Sequence, residues 1–230
     1  MALEPSYSFG GILSGKLMET INPELISIQD EIRSAFGWAL DDDIFSALEL
    51  SKKCKQPKAT IKFSGPVMVV GAAAKDNISS NKPIIAADGA VGALQSFENL
   101  KLVVTDCDGY PYLQKAIDSG IPLAIHAHGD NLIEWNKTLE ILENDHPVIL
   151  THQTPLDIEG MSNPGGFTDG DRAVCLAFAL GAESVELIGF SNNNVGKWSC
   201  ETDSKQKLVK LSWMEKILTI FNLEVSDGEE

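Results

Sequence analysis

Ile84-Ile85-Ala86-Ala87-Asp88, Leu102-Val103-Val104-Thr105-Asp106 and Leu123-Ala124-Ile125-His126-Ala127-His128-Gly129-Asp130 are three apolar runs, each leading to an aspartate. Continuous apolar runs of this length read as strands buried on both faces, the habit of parallel sheets. As parallel neighbours they share one edge at their carboxyl ends, which is where open α/β sheets bind ligands. Carboxylates gathered there repel one another. A divalent cation with a preference for hard oxygen ligands, Mg²⁺ first among them, is the natural neutraliser.

Outward from this centre the rhythm continues in both directions. Strand-like runs occupy 67–71, 147–151 and 184–189, and helical patterns fill 89–97, 110–119, 131–144 and 170–180. Such βαβ alternation predicts an α/β fold, a mostly parallel Rossmann-like sheet with helices on both faces. Residues 152–168, rich in Pro, Asn and Gly, form a long loop of the kind that serves as a lid or binding loop. Lys205 to Leu223 reads as a last helix, and 226–230 as a frayed acidic tail.

The first 60 or so residues differ, and we divide the chain into an N-terminal helical segment, 1–62, and an α/β catalytic domain, 63–230. Asn22 as N-cap with Pro23 at the first helical position opens one helix through Ile26, Ile28, Ile32 and Phe36. Asp41-Asp42-Asp43 places acids at the positive end of a second, through Ile44, Leu48 and Leu50. These apolar helices offer a surface for a homodimer.

With 18 Lys and Arg against 33 Asp and Glu, the net charge of −15 excludes the clustered cations that nucleic acid requires, and it repels anionic membranes. Small anions remain accessible where metal or local basic residues reverse the field. Four cysteines, widely spaced and without a C-x-x-C pair, read as reduced core thiols. No leader or membrane-length apolar run is evident, so the expected location is the cytoplasm.

Several motifs carry chemistry. Asp88-Gly89-Ala90 puts a carboxylate and a permissive glycine between strand and helix. Thr105-Asp106-Cys107-Asp108-Gly109 puts two acids at i and i+2, and capping accounts for only one of them. His126-Ala127-His128-Gly129-Asp130-Asn131 is the densest polar cluster. Read as a metallohydrolase site, it would combine His126, His128, Asp130 and His152, although the chain has only four histidines. Gly165-Gly166-Phe167-Thr168-Asp169-Gly170-Asp171-Arg172 adds two acids and a two-pronged arginine to a helix start, more than a cap requires. Lys205-Gln206-Lys207-Leu208-Val209-Lys210 is basic against an acidic background, and Lys207 and Lys210 share a face that could meet phosphate. Val69-Val70-Gly71-Ala72-Ala73-Ala74 offers small residues after the first strand, suited to a backbone phosphate contact or to close strand–helix packing.

Taken in order, these strings resemble the archaeal 6-hydroxymethyl-7,8-dihydropterin diphosphokinase family, itself similar to the catalytic domain of thiamin diphosphokinases. The likeness runs over roughly residues 65–215, and HAHGDN and GFTDGDRA are its most specific parts. It departs where the family carries a G-x-G-P-S-like turn and this chain has Gly71-Ala72-Ala73-Ala74. The resemblance implies ATP- and Mg²⁺-dependent transfer of diphosphate to a pterin hydroxymethyl group, with AMP released, on the way to methanopterin or folate. It implies Asp106, Asp108 and Asp130 on Mg²⁺. Asp88 is then on metal or pterin. Arg172, Lys205 and Lys207 take phosphate, and Asn131 and Asp169 the heterocycle. Gly89, Thr168 and Asp171 line the substrates, and His126, His128 or Asp130 assists deprotonation. Thiamin is the nearest alternative acceptor, but enzymes of that kind append a β-rich domain where this sequence has a helix and a tail. A non-catalytic nucleotide-sensing module has no need of so many carboxylates.

Overall fold

A computed structural model describes residues 22–199 and 204–225, the side chains of 204–207 excepted. The acidic 226–230, Cys200 and the first 21 residues of the N-terminal segment lie outside the described residues. Among the described residues seven strands form one sheet: β1 (Gly65–Val70), β2 (Ile84–Ala87), β3 (Leu100–Thr105), β4 (Leu123–Ala127), β5 (Val148–His152), β6 (Met161–Ser162) and β7 (Ala182–Ile188). Their order is β6-β5-β4-β3-β2-β1-β7, and every pairing is parallel. The expected α/β class is borne out, with a sheet more uniform than "mostly parallel".

Alternation within each strand feeds two cores. Met68, Val70, Val103 and Ile125 face α2 (Leu40–Lys53), a 3₁₀ turn at Asp88–Ala93, α3 (Tyr112–Asp118) and α4 (Leu132–Ile141). Val67, Val69, Val104 and Ala124 face α5 (Asp169–Ala179) and α6 (Ser204–Ile220). On the outside of that layer, α1 (Pro23–Phe36) buries Leu25, Ile28 and Ile32 against Cys175 and Ile217. The Asn22 carboxamide accepts from Glu24 N–H at 2.9 Å, with Pro23 opening α1 as its sequence position predicts.

From β1 to β6 the chain steps one way across the sheet. Then α5 carries it back so that β7 pairs on the other side of β1. The reversal opens a crevice between the carboxyl ends of β1 and β7, the switch point at which such sheets take ligands.

Two expected elements differ. The helix expected over 89–97 is only the short 3₁₀ turn, because Gly89 and Gly92 lie hard against Trp198: a Cβ on either would come within 2.4 Å of it. The 152–168 loop is not free-standing. Its Met161–Ser162 pairs with β5, and its Asn163 exchanges hydrogen bonds with Gln29 of α1 at 2.8 and 3.1 Å. Among the described residues no helix is long and apolar enough to cross a membrane.

His152 ends β5, fully buried, with Nδ1 accepting from Thr154 N–H at 3.1 Å. Burial lowers its pKa from 6.5 to about 4, so it is neutral when folded. Above pH 6.5 both folded and unfolded chains carry it neutral. Below that, the unfolded chain takes up a proton that the folded one refuses, and stability falls until about pH 4. The expected loss through this residue is about 3 kcal/mol. Denaturant titrations between these pH values should give a shallower acid limb for His152→Gln, whereas parallel curves would refute the assignment.

Candidate active site

The site forms where β2, β3 and β4 end. Asp88 follows β2 with φ 45° and Cys107 follows β3 with φ 78°, both in the left-handed region. Such backbone costs roughly 1–3 kcal/mol in a bulky residue and persists only where its surroundings enforce it. Here Thr105 is the enforcer. Its hydroxyl donates to Asp88 Oδ1 at 2.5 Å and accepts from Cys107 N–H at 2.8 Å. Gly109 N–H adds a bond to the same Asp88 oxygen at 3.2 Å, and glycine is needed because a Cβ there would stand 2.3 Å from the Asp88 carboxylate.

These turns bring together Asp88, Asp106 and Asp108. Each offers an oxygen within 4.8 Å of the others, and no other group of three or more His, Cys, Asp or Glu ligand atoms is so placed among the described residues. Asp88 is the most affected: burial first, then the charges of Asp169, Asp106 and Asp108, push its carboxyl well above the usual range. Asp106 Oδ1 is buried and makes no hydrogen bond among the described residues. An all-oxygen set with an orphaned oxygen fits a hard divalent cation.

Asp130 does not join this trio. It is exposed, and its Oδ1 lies 2.5 Å from His128 Nδ1, while His128 Nε2 lies 3.5 Å from Asp106 Oδ2. Burial opposes charge on His128, but the bonds and charges of the two acids outweigh it and raise its pKa to about 9. On Asp106 burial is likewise outweighed, by His128 and then Arg172, and its pKa falls to about 2. His128 is therefore an imidazolium at neutral pH, a fixed cation at the carboxylate edge.

Among the described residues the hydrolase alternative finds no zinc-like assembly. His126 is fully buried, its ring bonded to the Thr151 hydroxyl at 3.0 Å and to Gln153 at 3.4 Å. His152 engages Thr154 instead. Asn131, expected on the heterocycle, is committed internally. Its amide donates to His126 O at 2.7 Å and Asp106 O at 3.0 Å, and its Oδ1 accepts from His128 N–H at 2.9 Å. Gly89 is buried against the Trp198 backbone carbonyl.

At the start of α5, Asp171 reaches back to accept from Phe167 N–H at 2.7 Å and Thr168 N–H at 2.8 Å, an N-terminal cap. Arg172, nearly fully buried, donates to Asp169 at 3.1 Å and to Phe167 O at 2.7 Å, so it stands behind Asp169. Lys205 and Lys207 begin α6, and their side chains lie outside the described residues.

A cleft joins the carboxylates to the switch point. Asp88, Asp106, Asp108 and Asp169 line one part of it, Gly71, Ala72, Phe190 and Ser191 the crevice between β1 and β7, and Lys210 and Met214 the α6 side. Gly71-Ala72-Ala73 thus borders the cleft although it is no recognised phosphate loop. Residues that sequence reasoning missed support the site from α1 and α2. Asp43, read only as a helix-start acid, accepts from Gly129 N–H at 2.8 Å and Gln153 Nε2 at 2.9 Å. Arg33 binds Gln153 O at 2.7 Å.

Three curated relatives share about half of the chain. They come from Pyrococcus furiosus (44% identical over 119 residues), Methanothermobacter thermautotrophicus (41% over 114) and Methanocaldococcus jannaschii (37% over 119). Each of the three is named 6-hydroxymethyl-7,8-dihydropterin pyrophosphokinase. The aligned stretch is 49–50% of this chain and 47–48% of theirs, so the chain spans about half the length of the curated relatives it matches. No protein-family model matches it.

Repulsion within the trio makes a prediction. Asp88→Asn keeps an acceptor for Thr105 and Gly109 but removes the group whose ionisation burial and the neighbouring acids oppose. Its melting temperature without divalent cation should exceed that of the wild type, and its gain on adding Mg²⁺ should vanish. A variant that is less stable and still responds to Mg²⁺ would contradict the assignment.

Proposed function

We propose that the protein transfers diphosphate from ATP to the hydroxymethyl group of 6-hydroxymethyl-7,8-dihydropterin, releasing AMP, as an early step towards a folate or methanopterin cofactor. One observation carries this reading: the Asp88, Asp106 and Asp108 cluster opens onto a cleft that reaches the sheet's switch point, in a chain whose relatives bear that activity in their names.

In such a transfer the acceptor oxygen bonds to the β-phosphorus of ATP as the bond to the α,β-bridging oxygen breaks, and AMP leaves with that oxygen. The transition state is loose, so positioning and charge neutralisation outweigh covalent help from the protein. Asp88, Asp106 and Asp108 would hold Mg²⁺. Bound there, the ion would neutralise β- and γ-phosphate oxygens and admit the incoming hydroxyl. His128 keeps its proton between Asp106 and Asp130 and adds a second positive charge at the same edge. Asp130, exposed and paired with His128, would receive the hydroxymethyl proton, although that pairing holds its carboxyl below the usual range. Asp169, steadied by Arg172, offers an acceptor to the N–H edge of the heterocycle. Lys205 and Lys207 would supply phosphate contacts at the start of α6.

Incubation with ATP, Mg²⁺ and 6-hydroxymethyl-7,8-dihydropterin, with thiamin in parallel, tests the reading. AMP should form with the pterin only, and Asp106→Asn should slow it by about a hundredfold or more. AMP with thiamin alone would move the reaction to another acceptor. AMP with neither would overturn the proposal.

A further inference from the structure

The cleft's charge is lopsided. Four carboxylates line it, those of Asp88, Asp106, Asp108 and Asp169, against one cationic side chain among the described residues, Lys210 of α6. That lysine is not loosely placed. Its ammonium lies 5.5 Å from the Trp38 ring centre and 5.9 Å from that of Phe167, within reach of both ring quadrupoles. Trp38 is itself braced by Phe36, whose ring stacks on it at 4.6 Å. Phe167 is fixed by its N–H bond to Asp171 and its C=O bond from Arg172. Lys210 forms no salt bridge within 4 Å among the described residues, so its three N–H donors are not committed to a protein carboxylate there. Its charge nonetheless reaches the site, contributing to the lowered pKa of Asp130 after the larger effect of His128.

An ammonium held by aromatic faces keeps its charge and most of its hydrogen-bonding capacity. Such a group suits an anion that arrives with its own negative charge. We propose that Lys210, pre-positioned by Trp38 and Phe167, is the contact that grips the phosphate chain of the nucleoside triphosphate from the α6 side of the cleft. The inference rests on the ATP-dependent reading of the site and adds a residue to it. It also gives a role to the turn between α1 and α2, which carries Trp38. Trp38 acts through Lys210 and is a positioning residue.

Calorimetric titrations of the full chain in Mg²⁺ with ATP and with adenosine separate phosphate recognition from base recognition. Lys210→Gln should weaken ATP by about tenfold or more, the scale of a hydrogen bond to a charged group, and leave adenosine within about twofold. Unchanged adenosine binding doubles as the check that the cleft is folded. Lys210→Arg should restore most of the ATP affinity. Trp38→Leu should weaken ATP roughly two- to fivefold, and should add nothing on top of Lys210→Gln. Equal losses for ATP and adenosine in Lys210→Gln, or no loss for either, would overturn the proposal, as would a wild type that binds no ATP. The outcome is separable from the reaction itself. If the ATP-selective loss holds but the pterin yields no AMP, the transfer reading fails and the Lys210 contact stands. If AMP forms and the KM for ATP is unmoved in Lys210→Gln, the contact alone fails.

Discussion

Like charges crowded at the edge of a dry sheet are costly, and this structure places three carboxylates within 4.8 Å of one another at the ends of β2 and β3. Parallel pairing is the cause: β2 and β3 run the same way, so the residues that leave each strand emerge on the same side. The surroundings then enforce the approach rather than relieve it. Thr105 and Gly109 fasten Asp88, and two residues near it sit in left-handed backbone or carry no Cβ so that the acids can meet. Stability alone offers no reason to build such a cluster. A divalent cation held there would resolve it, and the proposed phosphate chemistry would draw on that cation and the cleft beside it.

The N-terminal helices are part of the same arrangement. The sequence rhythm changes near residue 60, yet Asp43 of α2 holds Gly129 and Gln153, and Gln29 of α1 holds Asn163 and the Gly166 carbonyl. A buried carboxylate satisfied by a backbone N–H and an amide positions the groups it touches with little freedom left. Through these bonds α1 and α2 fix the turn bearing His128 and Asp130, as well as the loop leading into α5. Trp38, from the turn between them, supports Lys210 in the same way.

Much of this was readable from residue order. β2 to β5 were visible because strands covered on both faces must be apolar at every position, and 3₁₀ or helical segments between them left the expected punctuation. Asp88 and Asp106 were visible because each comes directly after such a run, and Asp108 because it follows Asp106 at i+2. Asp130 lies three residues past β4, as Asp108 does past β3, yet its carboxylate meets His128 rather than the trio, a difference in loop path that residue spacing does not show. Asn131 and Asp171 were expected near substrates because polar side chains at a ligand edge look alike in sequence; their bonds to backbone became clear only when the loops closed on them. Gln153, Asn163 and β6 were hidden for a simpler reason. Two-residue pairing and buried amide contacts across 110 or 134 positions leave no local periodicity.

Crystals grown with Mn²⁺ and a non-hydrolysable ATP analogue would test the central claim most directly, because anomalous scattering locates the ion without reference to any assumed ligand. The account predicts a peak bounded by oxygens of Asp88, Asp106 and Asp108 and by the analogue's phosphates. A peak at the histidines, or nucleotide bound in the cleft with no ion among those three aspartates, would contradict it.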